Sequence, residues 1–308
     1  MDAELFATLA FSTLRAGIPL LYCALGVLLA ERSGMLNLGQ EGMMLMGAVV
    51  GFIAASESQS PALGVLAAAG TGLACGALFA LLTLLLQTNQ VATGLAMTIF
   101  GTGLSAFLGE DYVGSSIDGI APLAVPLLAD IPLFGQALFA QDWLLYLAWL
   151  LALASYWLLH RSRAGLIITA VGEDPAVAHR LGLPVRRVRA LMACAGGLMA
   201  GLGGAYLSLA YTPLWTEGMT TGRGWIALAL VVLAGWRTGL VLVAAHVFGM
   251  AGILNLLLQG TGIGLPGQML AMAPYLLCIA ALVLLSRQRD FGRYQSPPGL
   301  GQNFSPED

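Results

Sequence analysis

Apolar residues run along this chain in long stretches broken by short polar punctuation, and the pattern persists from Leu5 to Leu285. Crossing a bilayer as a helix takes about 20 mostly apolar residues. On that criterion the first span runs from Ile18 to Ala30, approached by a tilted or amphipathic segment from Leu5 that carries Arg15. Met43 to Ala55 is apolar but short, and Ala62 to Leu86 is ample. Val91 to Leu108 suffices once Thr93, Thr98 and Thr102 face protein. Between Glu110 and Asp142 glycines, prolines and acids interrupt the pattern, which predicts an exposed loop with one surface segment around Ile120 to Phe134. Hydrophobicity then resumes at Trp143 to Leu159, Ala190 to Leu209, Trp225 to Ala234, Leu240 to Leu258 and Met269 to Leu285. The pattern predicts an all-α, polytopic membrane bundle of about nine transmembrane helices, in a range of about 8 to 10. The piece at Trp225, between Gly224 and Gly235, is too short to span comfortably and predicts a broken or re-entrant helix lining a cavity. Residues 1–290 then form one transmembrane domain. A tail over 291–308, rich in Pro, Gly and polar residues beyond Gln295, is expected to be disordered.

Composition sharpens this picture. Hydrophobic residues make up 58% of the 308 and charged ones 9%, where a soluble domain carries roughly 25% charged residues. That excludes a soluble enzyme held by a single anchor. All 13 basic residues are arginine, and basic residues near span ends stay on the cytoplasmic side. One alternating topology places Arg32, Arg161, Arg163, Arg180, Arg186, Arg187, Arg189, Arg237, Arg287, Arg289 and Arg293 there, leaving Arg15 and Arg223 as exceptions. The opposite loops hold Glu57, Glu110, Asp111, Asp118, Asp130, Asp142 and Glu217. The N-terminus is therefore expected outside and the C-terminus inside, in an inner or plasma membrane. Asp2 and Glu4 stand where a cleavable signal peptide needs basic residues.

Candidate chemistry is sparse. Cys23, Cys75, Cys194 and Cys278 sit singly in apolar segments, and His160, His179 and His246 are scattered. With no HExxH, no paired Cys/His cluster and no GxSxG elbow, the chain offers no catalytic constellation and no metal site. The P-loop that grips ATP phosphates needs a lysine, and this chain has none. If ATP drives its work, ATP and magnesium sit on another subunit, no cofactor is expected here, and this chain must offer a docking surface.

The best candidate for that surface is the loop over 161–189. Within it Gly172, Glu173, Asp174, Pro175, Val177, Ala178, Leu181 and Gly182 carry helix signals. Asp174 suits an N-cap, Pro175 the first helical position and Gly182 the stop, giving a helix of about two turns. Val177 and Leu181, four apart, would form one apolar ridge. A capped surface helix that tidies a loop and a coupling helix for a partner both fit these signals.

The stretch from Ala170 to Leu209 resembles the cytoplasmic loop and following span of the branched-chain amino acid, ribose and nucleoside permease superfamily of bacterial ABC importers. The run from Glu31 to Met44, ERSGMLNLGQEGMM, resembles its nucleoside and simple-sugar branch in particular. Arg223 to Ala229, RGWIALA, and Gln90 to Ala96, QVATGLA, resemble that branch too. The resemblance implies half of a transport pathway for nucleosides, purine-like solutes or simple sugars. It also implies an ABC ATPase subunit, a second and different permease chain, and an extracytoplasmic substrate-binding protein as partners, in contact with membrane lipid and with no nucleic acid.

Polar groups at membrane depth must face protein or a watery cavity, so the Asn37 to Glu41 run has two readings. In one, a discontinuous helix presents Asn37 and Gln40 to the pathway. In the other, Glu31, Arg32 and Glu41 form a structural network that holds helices together. Trp225 could stack on a base or anchor at the interface. Thr98, Thr102 and Asn255 could line the pathway or bond between helices. Gly196, Gly197, Gly201, Gly203 and Gly204 read as close helix packing. An ion-coupled secondary transporter would need intramembrane carboxylates, of which Glu41 is the only plausible one. A channel would need a repeated filter segment, and a branched-chain amino acid permease would need charge for both ends of a zwitterion.

Overall fold

The computed structural model describes residues 3–123, 138–260, 272–286 and 296–305. Among them every regular element is a helix: α1 (Ala3–Arg32), α2 (Gln40–Ser58), α3 (Pro61–Ala80), α4 (Gln90–Gly109), α5 (Trp143–Arg161), α6 (Arg163–Glu173), α7 (Pro175–Arg180), α8 (Val185–Ala205), α9 (Arg223–Leu233), α10 (Thr238–Gly260) and α11 (Ala273–Ser286). Side chains fix several starts. Asn89, Asp142, Ser162 and Asp174 each accept a backbone N–H of the first turn of α4, α5, α6 and α7, as N-caps do, and Pro61 opens α3 where no N–H is needed.

Among the described residues six helices are long and apolar enough to cross a membrane: Thr8–Arg32, Pro61–Leu85, Gln90–Tyr112, Trp143–Arg161, Val185–Tyr211 and Thr238–Gln259. This is a multi-pass membrane protein. The approach from Leu5 is no separate segment, because Arg15 lies within one continuous α1. Helix α2 packs against α3, α4, α8 and α9 and buries most of its surface, including Gln40 and Glu41 of its first turn, while Glu57 and Ser58 at its other end are exposed.

Small residues set the packing. A Cβ added at Gly72 on α3 would lie 2.2 Å from the Gly197 carbonyl oxygen on α8, and one at Gly47 on α2 would lie 2.5 Å from Gly201 Cα. Backbones in contact give van der Waals attraction over the whole crossing, which drives helix association where both sides are already apolar. Gly196, Gly197, Gly201, Gly203 and Gly204 all face backbone or Cβ atoms of neighbouring helices, as their clustering suggested.

Most acids of the connecting loops lie at one end and most arginines at the other. At one end Tyr112 donates to Glu57 at 2.7 Å, and residues 114–117 run beside 213–215 with a single bridge between Ser116 and Leu214. Here Arg15 lies 3.6 Å from Asp142 and also donates to the Ala210 carbonyl, while Tyr206 donates to Asp142 at 3.1 Å. One of the two arginines that break the charge pattern thus ties α1, α5 and the end of α8 together.

The arginine-rich end differs from expectation in two ways. The loop over 161–189 is largely helical, because α6 buries Gly165, Ile168, Val171 and Gly172 on one face. The tail is the second difference. Residues 296–305, expected to be disordered, pack against α6, α7 and α8, with Phe304 buried beside Val171, Ala178 and Val185. Composition misled there because backbone carbonyls and one aromatic side chain carry the docking. The surface segment expected around Ile120 to Phe134 lies mostly outside the described residues.

Candidate functional site

Two stretches of non-helical chain interrupt the bundle, and their helices meet. After α1 the chain runs non-helically through residues 33–39, with turns at 33–34 and 38–39, beside α4. Gln90 accepts the Leu36 N–H at 2.8 Å, and Thr98 donates to the Leu38 carbonyl at 3.0 Å. A Cβ at Gly94 would sit 2.6 Å from the Leu38 nitrogen. Helix α2 starts only after this run, so its first turn is set about two turns along α4 from that helix's own start. Residues 212–222 form a second non-helical run, ending in Gly222 at φ +82°, and lead into the 11-residue α9.

Glu41 joins the two junctions. Its carboxyl oxygens accept Thr220 Oγ1 at 3.0 Å and the Gly224 N–H at 2.8 Å. The first N–H groups of a helix lack intrahelical partners and carry its positive dipole end, so an acidic side chain from α2 caps α9. At the far end of α9, Trp236 Nε1 donates to Glu31 at 2.6 Å and Arg32 donates to the Trp236 carbonyl at 2.7 Å. Glu31, Arg32 and Glu41 hold α9 at both ends. Asn37 is buried, accepts the Gly39 N–H at 2.8 Å and sets the turn into α2. Gln40 is fully buried beside Cys23 and Gly196.

Beside the start of α9 lies a cavity of about 460 Å³, lined by Ala16 and Leu20 of α1, Tyr211, Thr221, Arg223, Ile226, residues Phe248, Gly249, Gly252 and Asn255 of α10, and Tyr275 of α11. Its size suits a small-molecule site. The polar lining combines one guanidinium, two phenols, an amide and a hydroxyl, with no carboxylate among the lining residues. Such a set donates to and accepts from hydroxyl groups and ring nitrogens but offers no counter-charge to an ammonium group.

At the arginine-rich end, α7 has the predicted caps. Asp174 Oδ1 accepts the Val177 N–H at 2.9 Å. Gly182 sits at φ +82°, its N–H bonds the His179 carbonyl at 2.9 Å, and the Leu183 N–H bonds that of Ala178 at 3.0 Å. These two bonds are a Schellman stop, for which glycine is favoured because φ is positive. Ala178 and Pro175 face inward, whereas Val177 is 48% and Leu181 74% exposed. Gly172 is tightly confined, since a Cβ there would lie 2.2 Å from the Arg32 carbonyl oxygen, and Glu173 is exposed beside it.

Of the residues singled out for a pathway, Asn255 lines the cavity and Trp225 is 39% exposed next to the lining residue Ile226. Thr98 bonds between chain segments, and Asn37 and Gln40 are enclosed in packing. Sequence reasoning did not select Arg223, Tyr211, Thr221 or Tyr275. Arg223 carried a usable signal, as an arginine on the wrong side of the charge pattern.

The chain matches the family model for the permease component of the branched-chain amino acid transport system over residues 9–285. It is 39% identical to "Putative glucose ABC transporter permease protein TsgC13" of Haloferax volcanii over 96% of this chain and 97% of that protein. It is 32% identical to guanosine ABC transporter permease protein NupQ of Bacillus subtilis, covering 88% and 89% of the two chains. With nucleoside ABC transporter permease protein NupC of Lactococcus lactis the identity is 28% over 93% of each. No solved structure is significantly similar. A helical membrane bundle without a P-loop lysine, matched over nearly its whole length, this chain belongs to the permease family of branched-chain amino acid transport systems, and the three relatives named are ABC permease proteins for glucose, guanosine and nucleosides.

Proposed function

We propose that this chain is one half of the membrane pathway of an ATP-driven importer for neutral, hydroxyl-rich solutes of the nucleoside and simple-sugar class, in a bacterial inner membrane. The observation that carries the coupling half is α7, a capped six-residue helix that turns Val177 and Leu181 into solvent at the arginine-rich end. Exposed apolar side chains on a rigid, doubly stopped helix fit a partner surface. With no lysine in the chain, the ATP, its magnesium and its hydrolysis belong to a separate ATPase subunit docked there.

The arginine-rich end is then cytoplasmic and the N-terminus external. We infer about nine passes. The second combines the non-helical run 33–39 with α2, and the seventh combines 212–222 with α9, which makes α9 the half-helix expected from the short apolar piece at Trp225. The starts of α2 and α9 meet inside the bundle, as in other transporters where discontinuous helices surround a solute site. The cavity beside Arg223, Tyr211, Asn255 and Tyr275 is the section of pathway this chain contributes, with Trp225 at its edge. A second, different permease chain completes it, and an external binding protein delivers the solute.

The cavity lining favours nucleosides and sugars over branched-chain amino acids. A zwitterion needs an anionic partner for its ammonium group. The nearby Glu41 carboxyl is instead turned to Thr220 and the Gly224 N–H. The test is uptake of radiolabelled guanosine, adenosine, glucose and leucine by cells with and without this chain, before and after ATP depletion. Loss of guanosine or glucose uptake alone supports the proposal. Loss of leucine uptake alone moves the chain to the amino acid branch, and uptake indifferent to ATP removes the ABC importer reading.

A further inference from the structure

The last described residues form a strap across the arginine-rich end. The Gly299 N–H donates to the Gly172 carbonyl at 3.0 Å and the Gly301 N–H to the Gly34 carbonyl at 3.0 Å. Asn303 donates to the carbonyls of Gln87 and Thr88 at 3.0 and 3.2 Å, and Gln90 donates to the Gln302 carbonyl at 3.2 Å. Ten residues thereby touch the α1–α2 turn, the α3–α4 turn and the end of α6.

Two side chains anchor it. Arg189, at the start of α8, is fully buried. Its guanidinium donates to the carbonyls of Ser33 at 3.1 Å, Gln302 at 2.7 Å and Gly299 at 3.3 Å, so two of its three acceptors belong to the strap. A buried charge is tolerated only when its donors are satisfied, and here the strap supplies most of that satisfaction. Phe304 is the second anchor. It packs on Val171, Ala178 and Val185, and its ring meets His179 edge-on with centroids 5.4 Å apart. Ala178 and His179 belong to α7, so the inner face of that helix rests on the strap. Phe304 also forms one wall of an open groove of about 360 Å³, shared with His179, Leu183, Arg186 and Arg187.

We propose that residues 296–305 are part of the ATPase-docking surface and fix α7 against the α1–α2 and α3–α4 turns, with Phe304 and Arg189 as positioning residues. The proposal rests on the reading of α7 as the coupling helix. The strap does for α7 what its short length cannot: six residues are less than two helical turns, and without a backing core such a helix has no fixed orientation. The groove beside it, apolar in its floor and basic at Arg186 and Arg187, suits an acidic and apolar segment of the ATPase subunit.

The experiment uses the complete complex, co-expressed with its ATPase subunit and partner permease. Three forms are compared with the parent: Phe304→Ala, Phe304→Leu, and Val177→Asp together with Leu181→Asp. The readouts are the partner permease retained, the ATPase subunit retained, and ATP hydrolysed per solute moved. Phe304→Ala is expected to keep the partner permease and to lose ATPase retention about tenfold, or to raise ATP consumed per solute by a similar factor, with Phe304→Leu restoring most of it. If Phe304→Ala matches the parent in both readouts while the Val177 and Leu181 double variant loses the ATPase, the strap proposal is wrong and the coupling reading stands. If the double variant also retains the ATPase, the coupling reading itself falls and the strap proposal with it. Should Phe304→Ala lose the partner permease as well, Gln302→Pro, which at an exposed position deletes the Gln302 N–H bonded to the Gly299 carbonyl and so loosens the strap from within, decides by the same readouts.

Discussion

Replacing Glu41 with alanine tests whether the two helix junctions are held by one side chain. The carboxyl accepts Thr220 Oγ1 at 3.0 Å and the Gly224 N–H at 2.8 Å, and both donors are buried. A buried donor left without an acceptor costs about 1 to 3 kcal/mol. Losing both therefore costs about 2 to 6 kcal/mol, and the loss of a negative group at the start of α9 lies within that sum. Glu41→Gln keeps one acceptor oxygen and is expected to lose about half as much. Thr220→Ala removes one donor and is expected to cost about 1 kcal/mol. In the Glu41→Ala background the same Thr220 change should cost almost nothing, since its partner is already gone, which is the sign of direct coupling. The assay is the temperature at which the detergent-solubilised chain loses its monodisperse form. Glu41→Ala should lower it by at least about 5 °C, Glu41→Gln by less. A Glu41→Ala chain as stable as the parent, or single and double costs that simply add, would refute the reasoning.

Other changes read separate parts of the account. Gly72→Leu forces a side chain into the Gly197 backbone; overpacking of this kind costs about 3 kcal/mol or more, and the chain should fail to accumulate in membranes by immunoblot. Trp236→Phe removes the donor to Glu31 and should cost about 1.5 to 3 kcal/mol in the same thermal assay, with the Arg32 bond to the Trp236 carbonyl kept. Arg223→Ala should lower solute uptake about tenfold with complex assembly and basal ATP hydrolysis unchanged, and normal uptake would remove that cavity from the pathway. Val177→Asp together with Leu181→Asp should abolish co-purification of the ATPase subunit while the permease pair persists.

Features governed by local or bulk physics were legible in the sequence. The apolar stretches predicted the long helices because bilayer thickness sets their length. The caps of α7 were readable because Asp174, Pro175 and Gly182 act within a few residues of themselves. The close-packing glycines were readable because a small-residue face has few other uses in a membrane. What escaped depends on contacts distant in sequence. Asn37 bonds the Gly39 N–H and meets Met43, and Gln40 lies against Cys23 of α1 and Gly196 of α8, neighbours that the spacing of the run does not reveal. Arg15 and Arg223 broke the charge pattern for different reasons, one bonding Asp142 across the bundle and the other lining the cavity. The strap is the clearest case. Its proline- and glycine-rich composition argues for disorder, and contacts distant in sequence reverse that, among them the meeting of its carbonyls with Arg189, 110 residues away from Gly299.

The most direct measurement is ATP-driven uptake into proteoliposomes that contain this chain with its partner permease, ATPase subunit and binding protein, using radiolabelled guanosine, glucose and leucine in parallel. The account predicts accumulation of guanosine or glucose that requires ATP and disappears in the Val177→Asp, Leu181→Asp double variant, with leucine excluded. Accumulation of leucine alone, or accumulation that survives the double variant, would contradict it.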